Sequence, residues 1–129
     1  MARLLVVDDE QRFRSYLTRI LEAWGHEVRA AADDTGAIEA ARGFEPDLLI
    51  ADWMLRSSSD GIELAEALRA RHPRLRVVLI TGFPSDDLQG RVAAGELVAV
   101  LEKPFAPSAL REVLERALGG AASGGHDRV

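Results

Sequence analysis

Four short apolar runs in this chain each lead to a residue able to do chemistry. Leu4–Val7 ends at Asp8 and Asp9, Leu48–Ala51 at Asp52, Val77–Ile80 at Thr81, and Leu97–Leu101 runs through Glu102 to Lys103. The run before Asp52 has no polar alternation, which suits the middle of a parallel sheet covered by helices on both sides. In open α/β sheets chemistry collects in the crevice beyond the carboxyl ends of the strands. If the first and third runs are neighbours at the sheet's centre, the carboxylates of Asp8, Asp9 and Asp52 converge there. Three like charges cannot stay ionised together without a counter-charge. A divalent cation supplies one, and all-oxygen ligation favours Mg²⁺, with Mn²⁺ as a substitute. Lys103 offers a second, mobile cation for a carboxylate or a phosphoryl oxygen. Thr81 offers a hydroxyl donor. Such a set suits phosphoryl transfer onto a carboxylate, with Asp52 as the nucleophile that forms an aspartyl-phosphate and the other groups neutralising charge.

Taken singly, these residues have ordinary explanations. Asp8-Asp9 could cap a helix, Asp52 could be a loop acid, Thr81 a turn residue and Lys103 a solvated surface charge. Their conjunction at four strand ends carries the reading. So does composition, because Lys103 is the only lysine beside 15 arginines.

The elements that must position these groups follow in strict alternation. After the first strand a helix is expected from Glu10, with Phe13, Leu17, Ile20, Leu21 and Trp24 on one stripe and Gly25 as its stop. Val28–Ala32 reads as the second strand. Asp33-Asp34-Thr35 supplies caps for a helix carrying Ala37, Ile38 and Ala41, ended by Gly43. Pro46 precedes the third strand. A loop over Arg56–Ser59 and the Asp60-Gly61 pair lead to a helix with Ile62, Ala65 and Leu68 inward, closed by Pro73. The fourth strand is followed by a helix from Pro84, Ser85 and Asp86, weakened by Gly90 and Gly95. The last helix buries Leu110, Val113, Leu114, Ala117 and Leu118. Gly119–Val129 reads as a flexible tail. Five β-α pairs of this kind predict an α/β fold with a parallel sheet and right-handed crossovers.

A chain of 129 residues, 47 % hydrophobic and 29 % charged, is expected to form one domain with a sizeable core. Its net charge of -5 argues against a nucleic-acid or anionic-membrane surface. The absence of cysteine excludes disulfides, thiolate metal sites and cysteine nucleophiles. No apolar run reaches the length of a membrane helix and no signal peptide opens the chain, so the cytoplasm is the expected location.

The spaced set Asp8-Asp9, Asp52, Thr81-Gly82 and Lys103-Pro104-Phe105 resembles the receiver domains of two-component response regulators, over about residues 3–118. The resemblance implies a flavodoxin-like fold with strand order 2-1-3-4-5, a receiver over residues 1–118 and a tail over 119–129. It implies that Asp52 accepts a phosphoryl group from the phosphohistidine of a sensor histidine kinase or a histidine phosphotransfer protein. Asp9, Asp52 and the backbone carbonyl of Met54 would be Mg²⁺ ligands, with Asp8 acting directly or through water. Thr81 would be the switch hydroxyl and Lys103 the phosphate-binding lysine, its bond to Pro104 cis. Phosphorylation would alter the loop after the fourth strand and the fourth helix for a protein partner. Because no effector domain follows residue 118, a stand-alone signalling module is expected, with a receiver of the hybrid-histidine-kinase type as the alternative, and not an enzyme with an external substrate. Two positions depart from the family pattern. Val100 stands where an aromatic switch residue is common, and the loop after Asp52 is one residue longer than usual and lacks proline.

Two other classes fit less well. A phosphatase of the haloacid-dehalogenase type needs a second acid two residues after its nucleophile, where this chain has Met54. A flavodoxin-like flavin binder needs a phosphate loop after the first strand, and Asp8-Asp9-Glu10 would repel a phosphate. His26, His72 and His126 stand at no strand end. Arg69, Arg71, Arg74 and Arg76 read as a solvated basic face remote from the site.

Overall fold

The apolar runs pair edge to edge. In the computed structural model, which describes residues 2–55, 60–83 and 85–119, five strands form one parallel sheet: β1 (Arg3–Val7), β2 (Glu27–Ala31), β3 (Leu48–Asp52), β4 (Arg76–Thr81) and β5 (Ala99–Glu102). Their order is β2-β1-β3-β4-β5. The expected flavodoxin-like order is therefore present, with β1 and β3 adjacent and in register from Leu4 against Leu48 to Val7 against Ala51. Helices α1 (Gln11–Ala23), α2 (Asp34–Ala41), α3 (Gly61–Arg69), α4 (Asp86–Ala93) and α5 (Pro107–Leu114) connect and follow the strands. None of the helices among the described residues is long and apolar enough to cross a membrane.

The twofold alternation of a strand divides the core into two layers. Leu4, Val6, Leu48, Ile50, Val78, Ile80 and Leu101 pack with Leu17 and Leu21 of α1 and Leu110, Val113 and Leu114 of α5. Leu5, Val7, Leu49, Ala51, Val77 and Leu79 pack on the other face with Ala37 and Ala41 of α2, Leu64, Ala65 and Leu68 of α3, and Leu88 of α4. Helices thus cover both faces, as the apolar β3 run requires.

Caps fix the helix starts nearest the site. Ser85 accepts the Leu88 N–H at the start of α4. Asp60 and Glu63 form a reciprocal capping box at the start of α3. Several boundaries differ from the sequence expectation. β2 and β5 begin at Glu27 and Ala99, not Val28 and Leu97; Leu97 instead turns its side chain into the α2–α4 core layer. Leu64 joins the inward face of α3, while Ile62 is only partly buried. Gly95 lies past the end of α4 at φ +82, so it terminates the helix instead of weakening it. Helix α5 continues into a π-helical segment, Glu115–Gly119, where Arg76 donates to the Ala117 carbonyl. Arg69 likewise donates to the carbonyls of Leu75 and Glu96. Two of the four arginines read as a solvated face are therefore ties between elements. The Arg56–Ser59 loop, Pro84 and all of the expected tail except Gly119 lie outside the described residues.

Candidate functional site

Strand parity decides which groups meet. Val6, Ile50 and Leu101 all face the α1–α5 layer, so Asp8, Asp52 and Lys103, two residues further along each strand, face the same way. The side chains do meet. Lys103 Nζ lies 3.2 Å from Asp8 Oδ2 and 3.4 Å from Asp52 Oδ2. Asp8, Asp9 and Asp52 each place a carboxylate oxygen within 4.8 Å of the others. A cleft of about 560 Å³ opens over them, lined by Asp9, Glu10, Asp52, Met54 and Lys103.

The three acids are held differently. Asp8 is 1 % exposed, and both of its carboxylate oxygens meet protein donors: Oδ1 accepts the Glu10 N–H at 2.8 Å and Oδ2 the Lys103 ammonium. Asp9 and Asp52 face the cleft. Asp52 Oδ1 accepts the Met54 N–H at 3.1 Å. Its backbone is pinned at the next residue, because Trp53 donates to the Ile80 carbonyl and accepts from Gly61 N–H. Burial raises the Asp52 carboxyl above its ordinary range, against the opposing pull of the Met54 N–H and of Lys103. Burial works to lower the Lys103 ammonium, but the Asp8 and Asp52 carboxylates outweigh it and the net direction is upward. Three carboxylates beside one ammonium offer a hard, all-oxygen donor set, which suits a divalent cation.

Thr81 follows the opposite parity. Leu79 faces the α2–α4 layer, so Thr81 faces it too. Its hydroxyl, in a residue 1 % exposed, accepts the Phe83 N–H at 3.0 Å. The backbone still ties it to the site, since Lys103 N–H donates to the Thr81 carbonyl at 2.8 Å. The Lys103–Pro104 peptide is cis. Met54 lines the cleft at 64 % exposure, and Phe83, two residues past Thr81, is 77 % exposed. Trp53 is half-buried against the α2–α4 core layer, and Val100 packs on the same layer.

Two neighbours were not legible as site residues in the sequence. Arg14 donates to the Asp8 carbonyl at 2.7 Å, and the Phe13 ring lies 4.2 Å from Lys103 Nζ. Both lie on α1, and Phe13 read only as part of that helix's apolar stripe. A larger cleft of about 920 Å³ lies at the opposite pole, lined among others by His26, His72, Arg71 and Arg74. There His26 Nδ1 accepts the Ala2 N–H and His72 meets Glu45. It contains none of the residues gathered at the strands' carboxyl ends, and His126 lies outside the described residues.

Known proteins share this fold and sequence pattern. The chain matches the response regulator receiver domain model over residues 4–115. It is 36 % identical over 118 residues to the nitrogen assimilation regulatory protein NtrX of Azorhizobium caulinodans, covering 89 % of this chain and 26 % of that protein. It is 35 % identical over 116 residues to the alkaline phosphatase synthesis transcriptional regulatory protein PhoP of Bacillus subtilis, covering 88 % of this chain and 46 % of that protein. The chain thus spans less than half the length of these two relatives. Among solved structures, the chemotaxis protein CheY4 of Vibrio cholerae superposes with a TM-score of 0.83 at 29 % identity, over 92 % of this chain and 99 % of that one.

Proposed function

Because the chain belongs to the response regulator receiver domain family of two-component signalling, we propose that Asp52 is its phospho-acceptor. The donor is the phosphohistidine of a sensor histidine kinase or a histidine phosphotransfer protein. The observation that carries this reading is the convergence of Asp8, Asp9, Asp52 and Lys103 on one cleft.

Asp52 presents one carboxylate oxygen to Lys103 and the other to the Met54 N–H, so its carboxylate plane is fixed before a donor arrives. Fixing the nucleophile in this way removes orientational entropy from the transfer step. Asp9, Asp52 and the Met54 carbonyl would hold Mg²⁺, with Asp8 acting through water because its own oxygens already meet Glu10 and Lys103. Bound there, the ion neutralises charge on the phosphoryl oxygens. Lys103 passes from the carboxylates to a phosphoryl oxygen as that group arrives. The Thr81 hydroxyl, 1 % exposed and accepting the Phe83 N–H, can donate to another oxygen once the Gly82–Phe83 segment moves. That movement carries the signal to the start of α4 and to a partner protein. A cytoplasmic site of action follows from the proposed donor.

The test is incubation with acetyl phosphate followed by intact mass spectrometry. One added phosphoryl group is expected with Mg²⁺ or Mn²⁺, none in their absence, and none in Asp52→Asn. Metal-independent labelling, or unchanged labelling in the variant, would overturn the assignment.

A further inference from the structure

Lys103 is poorly restrained by the carboxylates alone. Its Nζ sits between Asp8 and Asp52 at 3.2 and 3.4 Å, both longer than the roughly 2.7–2.9 Å of a tight charge-assisted contact. The side chain is 26 % exposed and has a flexible four-carbon stem. A third contact bounds the ammonium: the face of Phe13, whose centroid is 4.2 Å from Nζ. That is well inside the roughly 6 Å reach of a cation–π interaction.

The ring is itself braced. Phe105, two residues beyond Lys103, meets it edge to face at 5.9 Å and 81°, and Tyr16 lies 6.3 Å away. Arg14, the next residue, donates to the Asp8 carbonyl. The first turn of α1 is therefore joined to the backbone of one carboxylate, to the ammonium and to the segment that carries the ammonium. Those ties exceed what a residue of the apolar stripe needs for packing.

We propose that Phe13 is a positioning residue for Lys103, its ring holding the ammonium where it reaches Asp52 and, later, the phosphoryl oxygen. The proposal rests on the reading of Asp52 as phospho-acceptor. A ring face suits the task because its attraction is not tied to one hydrogen-bond direction. The ammonium can pass from carboxylate to phosphoryl oxygen while staying against the same wall.

The full chain allows a direct test, since its single lysine gives one side-chain Nζ and one set of Lys methylene signals. In the wild type the Lys103 methylene protons next to Nζ should be shifted upfield by the ring current. Phe13→Leu should abolish that shift and slow labelling by acetyl phosphate and Mg²⁺ about three- to tenfold, while Phe13→Tyr restores both. Pentafluorophenylalanine at position 13 keeps the ring's shape and reverses its quadrupole. It should slow labelling as Leu does, and it serves equally if the Leu variant does not fold. Wild-type labelling by the pentafluoro variant, or an unchanged Lys103 shift in Phe13→Leu, would overturn the proposal. If the wild type does not label at all, the reading of Asp52 fails, while the ring-current comparison still decides whether Phe13 holds Lys103.

Discussion

Gly61 offers the sharpest test of how the fold supports the site. A Cβ built on it would lie 2.6 Å from the Asp52 carbonyl oxygen, 2.9 Å from Leu79 Cδ2 and 3.2 Å from Trp53 Cα. Ordinary contact begins near 3.4 Å, so Gly61→Ala requires a relative displacement of about 0.8 Å, 3.4 less 2.6. The atom to be displaced is backbone, in the central strand of the sheet, and Gly61 N–H is already bonded to the Trp53 carbonyl. Overpacking of this kind costs about 1–3 kcal/mol, and the upper half applies where backbone must yield. Gaining Ala in a helix returns at most about 1 kcal/mol. The net loss of about 2 kcal/mol corresponds to a fall in Tm of roughly 8 °C for a chain of this size. The same displacement reaches the nucleophile, and misplacement by about 1 Å can cost on the order of a hundredfold in rate. Labelling at a temperature where the variant is fully folded should therefore drop about tenfold or more. Calorimetry and timed intact mass measure the two effects. Gly90→Ala is the control: nothing lies within 4 Å of its added Cβ, so it should gain about 0.5–1 kcal/mol. A Gly61→Ala protein as stable and as quickly labelled as the wild type would show that α3 does not press on the carboxyl end of β3.

Other outcomes follow from the same geometry. Trp53 adjoins Asp52, so Mg²⁺ and the phosphate mimic beryllium fluoride should each change its fluorescence; a signal that survives intact in Trp53→Phe would place the change at Trp24. Met54 lines the cleft and Phe83 stands two residues past Thr81, both with exposed apolar side chains that give a water no group to orient it. Loss of the phosphoryl group should be slower than in a Met54→Asn, Phe83→Glu double variant, and an equal or faster wild-type rate refutes this. Beryllium fluoride with Mg²⁺ should shift amide signals over residues 81–95 more than over 98–101. Thr81→Ala should remove most of that shift yet leave Asp52 able to label; shifts centred on Val100 that persist in the variant would indicate another route.

The sequence made the sheet readable because each apolar run ended in a chemically distinct residue. Alternation of strands and helices required parallel pairing, whereas the separation of Thr81 from Lys103 emerged only with the register, which puts Leu79 and Leu101 on opposite faces. Contacts made across the chain were harder to see. Phe13 has the type and spacing of a core residue, and only the packing of α1 against the segment after β5 brings it to Lys103, 90 positions away. Arg69 and Arg76 lay in a basic run indistinguishable from a solvated face, because the groups that accept from them are main-chain carbonyls of Leu75, Glu96 and Ala117, which no residue type codes. Leu97 reads as a strand residue by composition, yet it is turned into the core before β5 begins.

Parity also divides the work of the domain. Asp8, Asp52, Lys103 and Phe13 are supported from the α1–α5 side, whereas Thr81, Val100 and the start of α4 are supported from the other. The sheet between them is apolar, and β1, β3 and β4 are buried along nearly their whole length, so side chains on one face do not touch those on the other. What joins the two sides is backbone: Lys103 N–H to the Thr81 carbonyl, and Trp53 N–H to the Ile80 carbonyl. Rearrangement of Lys103 can therefore reach Thr81 through a main-chain bond without any aromatic side chain on β5. That gives the valine at position 100 a physical reading. With the short, branched Val100 side chain packed partly buried against the core, the exposed Gly82–Phe83 segment is left as the part of this face free to respond.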